Sequence, residues 1–187
     1  GEIYPPVGWF ASVKYDGKRA FYYAQGATAS VITAEGVIEW SRGAESPHPS
    51  CLADGEWMAD EGVMYLFDCM MYDDKPVVDA PYTVRRALID GCVAADTSAK
   101  CLAKQFVELG DDWRDQLTAV WQAACGEGQQ PSKIQPEGLI FTSREGGYSD
   151  CRSLKWKPVE HNSIDFLALK CSAALLGTAP YMPLAGH

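Results

Sequence analysis

The stretch SVKYDGKRAFYY, residues 12–23, places a lysine and an arginine on either side of an Asp-Gly pair. A lysine amine is a nucleophile once it loses its proton, and an arginine guanidinium binds anionic groups such as phosphates. Lys14 would therefore form a covalent bond to a substrate whose anionic group Arg19 holds. A simpler interpretation is a β-hairpin with a solvated Lys14, because the flanking runs are β-prone and Asp16-Gly17 favours a tight turn.

Four further short motifs carry charged or aromatic side chains. LADGEW contains Glu56, YLFD contains Phe67, PEGLIF contains Glu137, and SLKWKP contains Lys155 and Lys157. Taken singly, Phe67 suits a hydrophobic core and Glu56 suits a solvated strand. Two lysines that are two residues apart share one face of any strand. Only the ordered set of motifs argues for a shared site.

The elements that must position these residues are mostly β-strands. From about residue 8 to residue 70, β-prone runs alternate with Gly, Ser and Pro and predict a series of strands. Apolar residues three and four apart predict helices in PYTVRRALIDGCVAA and DDWRDQLTAVWQAAC. Strands, then helices, then strands predict an α+β domain with mostly antiparallel sheets and flanking helices. The remaining segments with strand character are LAKQFVEL, which is ambiguous, and EGLIFTS, CRSLKWKP and SIDFLALK.

Composition and charge narrow the class of protein. The 187 residues are 47% hydrophobic, which is enough for one globular domain or slightly more. No apolar run reaches the length of a membrane span and the start lacks a signal peptide, so we expect an intracellular protein of the nucleus or cytoplasm. Seven cysteines without a CxxC pair indicate reduced thiols. A net charge of -9 disfavours broad clamping of nucleic acid, so any such contact should be local.

The five motifs resemble, in the same order, the signature of the covalent nucleotidyltransferase superfamily, which contains polynucleotide ligases and mRNA capping guanylyltransferases. KYDGKR is similar to the Lys-x-Asp-Gly-x-Arg motif, and the other four to the Asp-Gly-Glu, Phe-Asp, Glu-Gly and Lys-x-Lys motifs. The resemblance implies an ATP-grasp-like catalytic lobe of the DNA ligase and capping enzyme type over residues 1–170. It leaves residues 171–187 as a C-terminal tail, either the start of a missing domain or residues added for expression.

The resemblance implies a chemical role for the lysines. Lys14 would attack the α-phosphate of a nucleoside triphosphate, form a lysyl-nucleotide phosphoramidate and release pyrophosphate. Because the amine attacks only when it is neutral, we expect desolvation and the cations Lys155 and Lys157 to favour its neutral form. The same two cations would neutralise charge on the phosphates.

The resemblance also implies how the nucleotide is bound. Arg19 and Glu56 would bind the ribose, and Phe67 would stack on the base. Glu137 would lie near the phosphates and help to hold a Mg²⁺ or Mn²⁺ ion that bridges triphosphate oxygens.

The segment KWKPVEHNSIDFL, residues 155–167, separates two branches of the superfamily. It resembles the capping guanylyltransferase pattern, in which Lys-Trp-Lys-Pro is followed by Glu-His-Asn-x-Ile-Asp-Phe, whereas ligases usually keep the lysines without this continuation. The resemblance therefore favours GTP over ATP. It places Asp165 near the phosphates and the metal. For His161 a structural hydrogen bond is favoured over a role in catalysis.

The resemblance implies an enzyme that transfers GMP from Lys14 to the 5′-diphosphate end of RNA. Expected partners, in the same or another chain, are an OB-fold domain, an RNA triphosphatase and a methyltransferase. The sequence contains neither the OB-fold domain nor its basic motif, so this domain is expected to be absent or truncated. Capping enzymes of this pattern occur in eukaryotes and in large DNA viruses. Two alternatives stay open: the adenylation domain of an ATP-dependent RNA or DNA ligase, and a non-catalytic module that binds nucleotide or docks a polymerase.

Overall fold

The structure is a computed structural model that describes residues 7–43, 48–125 and 136–158. Within these ranges the chain forms two β-sheets and two helices. In chain order the elements are β1 (Phe10–Tyr15), β2 (Lys18–Gln25), β3 (Thr28–Thr33), β4 (Gly36–Ser41), β5 (Cys51–Met58), β6 (Val63–Tyr72), β7 (Lys75–Pro76), α1 (Tyr82–Ala94), β8 (Cys101–Ala103), β9 (Val107–Glu108), α2 (Trp113–Cys125), β10 (Pro136–Thr142) and β11 (Ser153–Trp156).

The larger sheet has seven strands in the order β4-β3-β2-β5-β6-β7, with β8 paired to β6. Side chains alternate across each strand, so Ala20, Tyr22 and Ala24 of β2 all point to one face, where they are buried. Helix α1 packs on this face through Ile89 and Cys92, which lie three residues apart on one side of the helix. The opposite face of the sheet is left for polar and charged side chains.

The smaller sheet has four strands in the order β11-β10-β1-β9. One of its faces packs against α2, because Ala11, Leu139 and Phe141 meet a helix face that includes Trp113 and Leu117. The other face and the polar face of the larger sheet both line a single cavity. Each sheet therefore has its own hydrophobic core with its own helix, and the cavity lies between the two sheets.

The Asp16-Gly17 pair does not form the predicted hairpin. Strand β1 pairs with β9 and β10, whereas β2 pairs with β3 and β5, so this pair links the two sheets. Gly17 is required for a close approach. Its amide donates a hydrogen bond to Glu56 Oε1 over 3.1 Å, and a Cβ at this position would lie 2.5 Å from Glu56 Cγ. The β propensity of both runs is correct, but the choice of strand partner depends on distant segments.

Both predicted helices are confirmed as α1 and α2, and the described sheets are antiparallel apart from the β6–β8 pair. LAKQFVEL is divided between β8 and β9, which belong to different sheets. SIDFLALK lies outside the described residues. In the described part of the chain, neither helix is long and apolar enough to cross a membrane.

Candidate functional site

The cavity between the sheets has a volume of about 360 Å³, which is in the range of small-molecule sites. Glu137 joins the site through an ion pair with Lys14, and Lys157 joins it through an ion pair with Glu137. Asp165 lies outside the described residues, so its position stays a prediction. The predicted residues that line the cavity are Lys14, Arg19, Glu56, Phe67 and Lys155.

Lys14 lies near the end of β1 with its amine bound to Glu137. Its Nζ donates a hydrogen bond to Glu137 Oε2, and Lys157 Nζ lies 3.1 Å from the same oxygen. Two cations thus share one carboxylate, and the pKa of Glu137 is lowered, first by the hydrogen bond from Lys14 and then by Lys157. Lys157 lies beside Lys14 through this shared oxygen and Lys155 lines the same cavity, but the motif pattern did not show that Glu137 would pair directly with the Lys14 amine.

A glycine follows Glu137 because β10 and β11 approach each other closely. Gly138 pairs with Lys14 of β1. A Cβ at this position would lie 2.0 Å from the carbonyl oxygen of Trp156 on β11. Such a contact is impossible without moving the backbone, so only glycine allows this geometry. The glycine therefore allows β10, which carries Glu137, to lie close to β11, which carries Lys155.

Arg19 is held by two residues that the motif analysis did not identify. Its Nε donates to Asp54 Oδ1 over 3.2 Å and its Nη2 donates to Asp54 Oδ2 over 2.7 Å. Its Nη2 also donates to the Tyr148 hydroxyl over 2.9 Å. The hydrogen bonds to Asp54 are the main reason that the pKa of Arg19 is raised. Asp54 lies two residues from Glu56 in the same motif, so strand alternation could have identified it.

Tyr148 has no comparable signal in the sequence. Its hydroxyl donates to Asp54 Oδ2 over 2.6 Å, across 94 residues of chain. Burial, followed by this hydrogen bond, raises the pKa of Tyr148 to about 12. The residue therefore keeps its proton at neutral pH and acts as a hydrogen-bond donor.

Phe67 is half-buried, lines the cavity and belongs to neither hydrophobic core, so the core interpretation of this residue is wrong. Lys104 lies close to it and was also not identified. Lys104 is 2% exposed, and its Nζ lies 5.6 Å from the centre of the Phe67 ring and 3.9 Å from Glu56 Oε2. Burial lowers the pKa of Lys104 to about 8, against the opposing charge of Glu56. A lysine within the largely apolar LAKQFVEL was the available signal.

The described residues offer little for a metal ion on their own. In the ranges that the structure covers, no group of three or more His, Cys, Asp or Glu side chains is arranged to hold one. Mg²⁺ often binds through one or two carboxylates together with substrate phosphates and water. Glu137 fits that mode of binding, because its carboxylate lies beside the amine that would attack the phosphate.

Comparison with known proteins gives two kinds of similarity. No protein-family model matches the chain. It is 28% identical over 187 residues, 99% of its length, to proteins named mRNA-capping enzyme from two isolates of African swine fever virus. The chain spans about a fifth of the length of these curated relatives, 21% in each case.

Solved structures of DNA ligases share the fold. The ligase domain of LigD from M. tuberculosis superposes with a TM-score of 0.54 at 15% identity, over 80% of this chain and 53% of that one. A Lig E DNA ligase superposes with a TM-score of 0.51 at 14% identity, over 82% of this chain and 64% of that one. The chain is thus similar to viral proteins named mRNA-capping enzyme and shares the fold of DNA ligase domains, and both similarities fit the covalent nucleotidyltransferase superfamily.

Proposed function

We propose that the chain is the nucleotidyltransferase lobe of an mRNA guanylyltransferase. It would form a covalent Lys14–GMP intermediate from GTP, release pyrophosphate and transfer GMP to the 5′-diphosphate end of RNA. The observation that carries this proposal is that one cavity contains the lysine nucleophile, a guanidinium, a carboxylate and an aromatic ring from distant motifs. The similarity to capping enzymes, which extends over 99% of this chain, supports RNA as the acceptor.

In the first step the neutral Lys14 amine forms a bond from Nζ to the α-phosphorus and passes one proton to solvent. The bond from that phosphorus to the α,β-bridging oxygen breaks, and pyrophosphate leaves with this oxygen. Lys157 lies 3.1 Å from Glu137 Oε2, so it can keep the carboxylate paired when Lys14 leaves it. Lys155 lines the cavity and would neutralise charge that develops on the phosphates. A Mg²⁺ or Mn²⁺ ion held by Glu137 and triphosphate oxygens would add to that neutralisation.

The position of Lys104 supports GTP rather than ATP. Lys104 Nζ lies over the Phe67 ring, 5.6 Å from the ring centre, so a base bound at this ring would lie beside the amine. A lysine ammonium only donates hydrogen bonds. Guanine presents the acceptors O6 and N7 on one edge, whereas adenine presents an N6 amino donor beside N7. A protonated Lys104 therefore fits guanine better than adenine.

The fold similarity to DNA ligases supports a second candidate, the adenylation domain of an ATP-dependent RNA or DNA ligase. It would use the same lysine and the same cavity with ATP. We propose an OB-fold domain, an RNA triphosphatase and a methyltransferase as partners of the guanylyltransferase, in the same or another chain.

Incubation of the full-length protein with α-labelled GTP or ATP and Mg²⁺, followed by denaturing electrophoresis, tests the proposal. We expect label from GTP on the wild-type protein and none on Lys14→Ala. Lys18→Ala is a matched control, because Lys18 belongs to the same motif but pairs with Glu35 at the exposed surface. Label from ATP and not from GTP would favour the ligase. GTP binding without any label would leave the non-catalytic module.

A further inference from the structure

The loop between β10 and β11 joins the two sides of the cavity. It leaves the smaller sheet after Thr142 and returns to it at Ser153. Between these residues it contacts the segment that follows β7 beside the larger sheet. The amide of Tyr148 donates to the carbonyl of Val78 over 2.6 Å, and a Cβ on Gly147 would lie 2.9 Å from the same oxygen. The tip of the loop is therefore fixed against the opposite side of the cavity.

A buried arginine anchors this loop. Arg85 of α1 is fully buried and forms a two-point ion pair with Asp68, with its Nε 2.8 Å from Oδ1 and its Nη2 3.0 Å from Oδ2. Its Nη1 donates to the carbonyl of Gly146 over 2.9 Å and to the carbonyl of Ala80. Because its guanidinium is bound by the Asp68 carboxylate on one side and by two backbone carbonyls on the other, the Arg85 side chain has little freedom to move. Tyr148, two residues after Gly146, is carried on a well-anchored support.

The hydrogen bonds around Arg19 leave one nitrogen for a ligand. Its Nε hydrogen goes to Asp54, and its two Nη2 hydrogens go to Asp54 and to the Tyr148 hydroxyl. In the described part of the chain Nη1 has no partner, so its two hydrogens are those that a nucleotide can take. Asp54 is 1% exposed, whereas the Arg19 side chain is 68% exposed. Water therefore competes for the guanidinium, and a third fixed contact restricts its motion.

We infer that Tyr148 is a positioning residue that acts through Arg19, by directing Nη1 of the guanidinium toward the bound nucleotide. The inference rests on the proposed function only in naming GTP as that nucleotide. The Tyr148 hydroxyl supplies the third point of attachment, which Asp54 alone cannot provide. Its loss should weaken nucleotide binding while leaving the attacking Lys14 untouched. A loop that served folding alone would instead change stability without changing the affinity of the folded protein.

The test compares Tyr148→Phe with the wild type in the full-length protein. We expect the KM for GTP in covalent labelling to rise about tenfold, the effect of one hydrogen bond to a charged group, with kcat nearly unchanged. Tyr23→Phe is the matched control. Tyr23 lies on the same strand as Arg19, and its hydroxyl donates to Gln25 Oε1 at the exposed surface. The Tyr23→Phe variant should leave the KM for GTP unchanged.

A double-mutant cycle decides whether Tyr148 acts through Arg19. In an Arg19→Ala background we expect Tyr148→Phe to cause no further rise in KM. Arg19→Lys provides a second background, because lysine cannot make the same two-point contact with Asp54. An unchanged KM in Tyr148→Phe, or full additivity with Arg19→Ala, would overturn the inference.

The same cycle can be measured without chemistry. The dissociation constant for GTP, obtained by calorimetry without divalent metal, should show the same rise and the same lack of additivity. If the wild type binds GTP but acquires no label, the proposed function fails while this cycle still decides the role of Tyr148. If the wild type binds no GTP, both proposals are contradicted.

Discussion

Two buried carboxylates, Asp54 and Asp96, accept hydrogen bonds from different kinds of donor. Asp96 is 6% exposed and accepts hydrogen bonds from the Tyr22 hydroxyl, the Trp40 indole and Ser98. These donors are neutral and connect β2, β4 and the segment after α1. Asp54 instead binds a largely exposed arginine and a tyrosine at the edge of the cavity.

This difference indicates that the Asp96 cluster serves the stability of the fold, whereas the charged groups at the cavity serve function. Around Asp96 the donors fill the acceptors of the carboxylate and none of them lines the cavity between the sheets, so the cluster ties strands together. Around the cavity, lysines and an arginine compete for a few carboxylates, and Lys14 and Lys157 share the single oxygen Glu137 Oε2. Strong local charge of this kind is expected where a ligand supplies the missing partner. Substitutions in the first cluster should therefore affect folding, and those in the second should affect chemistry.

The largest expected effect is on the cationic side of the cavity. Lys155→Ala and Lys157→Ala should each lower the rate of covalent nucleotide transfer by about 10²–10³-fold, since each removes charge that stabilises the phosphates. Their melting temperatures should stay close to the wild-type value. Lys75→Ala, in the exposed strand β7, is the control and should label at the normal rate. A normal rate of covalent transfer in both Lys155→Ala and Lys157→Ala would contradict a catalytic role for this side of the cavity.

Asp96→Ala should have the reverse effect. The buried Tyr22 hydroxyl and Trp40 indole would lose their acceptor, which should lower the free energy of unfolding by about 2–5 kcal/mol in urea denaturation. The folded fraction should still label with GTP. Asp90→Ala, which removes an exposed carboxylate that pairs with Arg86 one helical turn away, should cost less than about 1 kcal/mol. If Asp96→Ala and Asp90→Ala lowered the free energy of unfolding equally, the proposed role of Asp96 in stabilising the fold would be contradicted.

Lys104→Met should change nucleotide preference by about tenfold, the order of one hydrogen bond to a charged group. GTP labelling should weaken relative to ATP labelling, because a hydrogen-bond donor beside the proposed base site is lost. Competition between the two labelled nucleotides measures the ratio. A ratio equal to that of the wild type would show that base selection lies elsewhere.

The smallest effect concerns pH. The pKa of Lys104 is lowered from 10.5 to about 8 by burial. Below pH 8 its amine is charged in both the folded and unfolded states, so burial of the charge is most costly there. Between about pH 8 and 10.5 the unfolded state binds the additional proton, and this cost declines as pH rises. We therefore expect Lys104→Met to gain stability over the wild type below pH 8, with the gain shrinking toward pH 10.5 in parallel denaturation curves.

The sequence was sufficient to predict both helices, most of the strands and a common location for Lys14, Arg19, Glu56, Phe67 and Lys155. These follow from local periodicity and from the order of the motifs. The hairpin prediction was wrong because Lys14 pairs with Gly138, far along the chain, rather than with the next strand. No local pattern specifies such a pairing.

The hydrogen-bond and ring partners of the site residues also could not be predicted from the sequence. Tyr148 reaches Asp54 only because Arg85 and Val78 fix the loop that carries it. Lys104 reaches Phe67 because its short segment connects strands of two different sheets. Both contacts depend on how distant segments pack, so the spacing of residues along the chain does not reveal them.

The most direct measurement is to locate the covalent nucleotide. The full-length protein would be incubated with GTP and Mg²⁺, denatured and digested, and its peptides analysed by mass spectrometry. We expect GMP bound through a phosphoramidate to the peptide that contains Lys14, on the nitrogen of that residue. GMP on Lys104, Lys18 or any other residue, with Lys14 unmodified, would contradict the proposed mechanism.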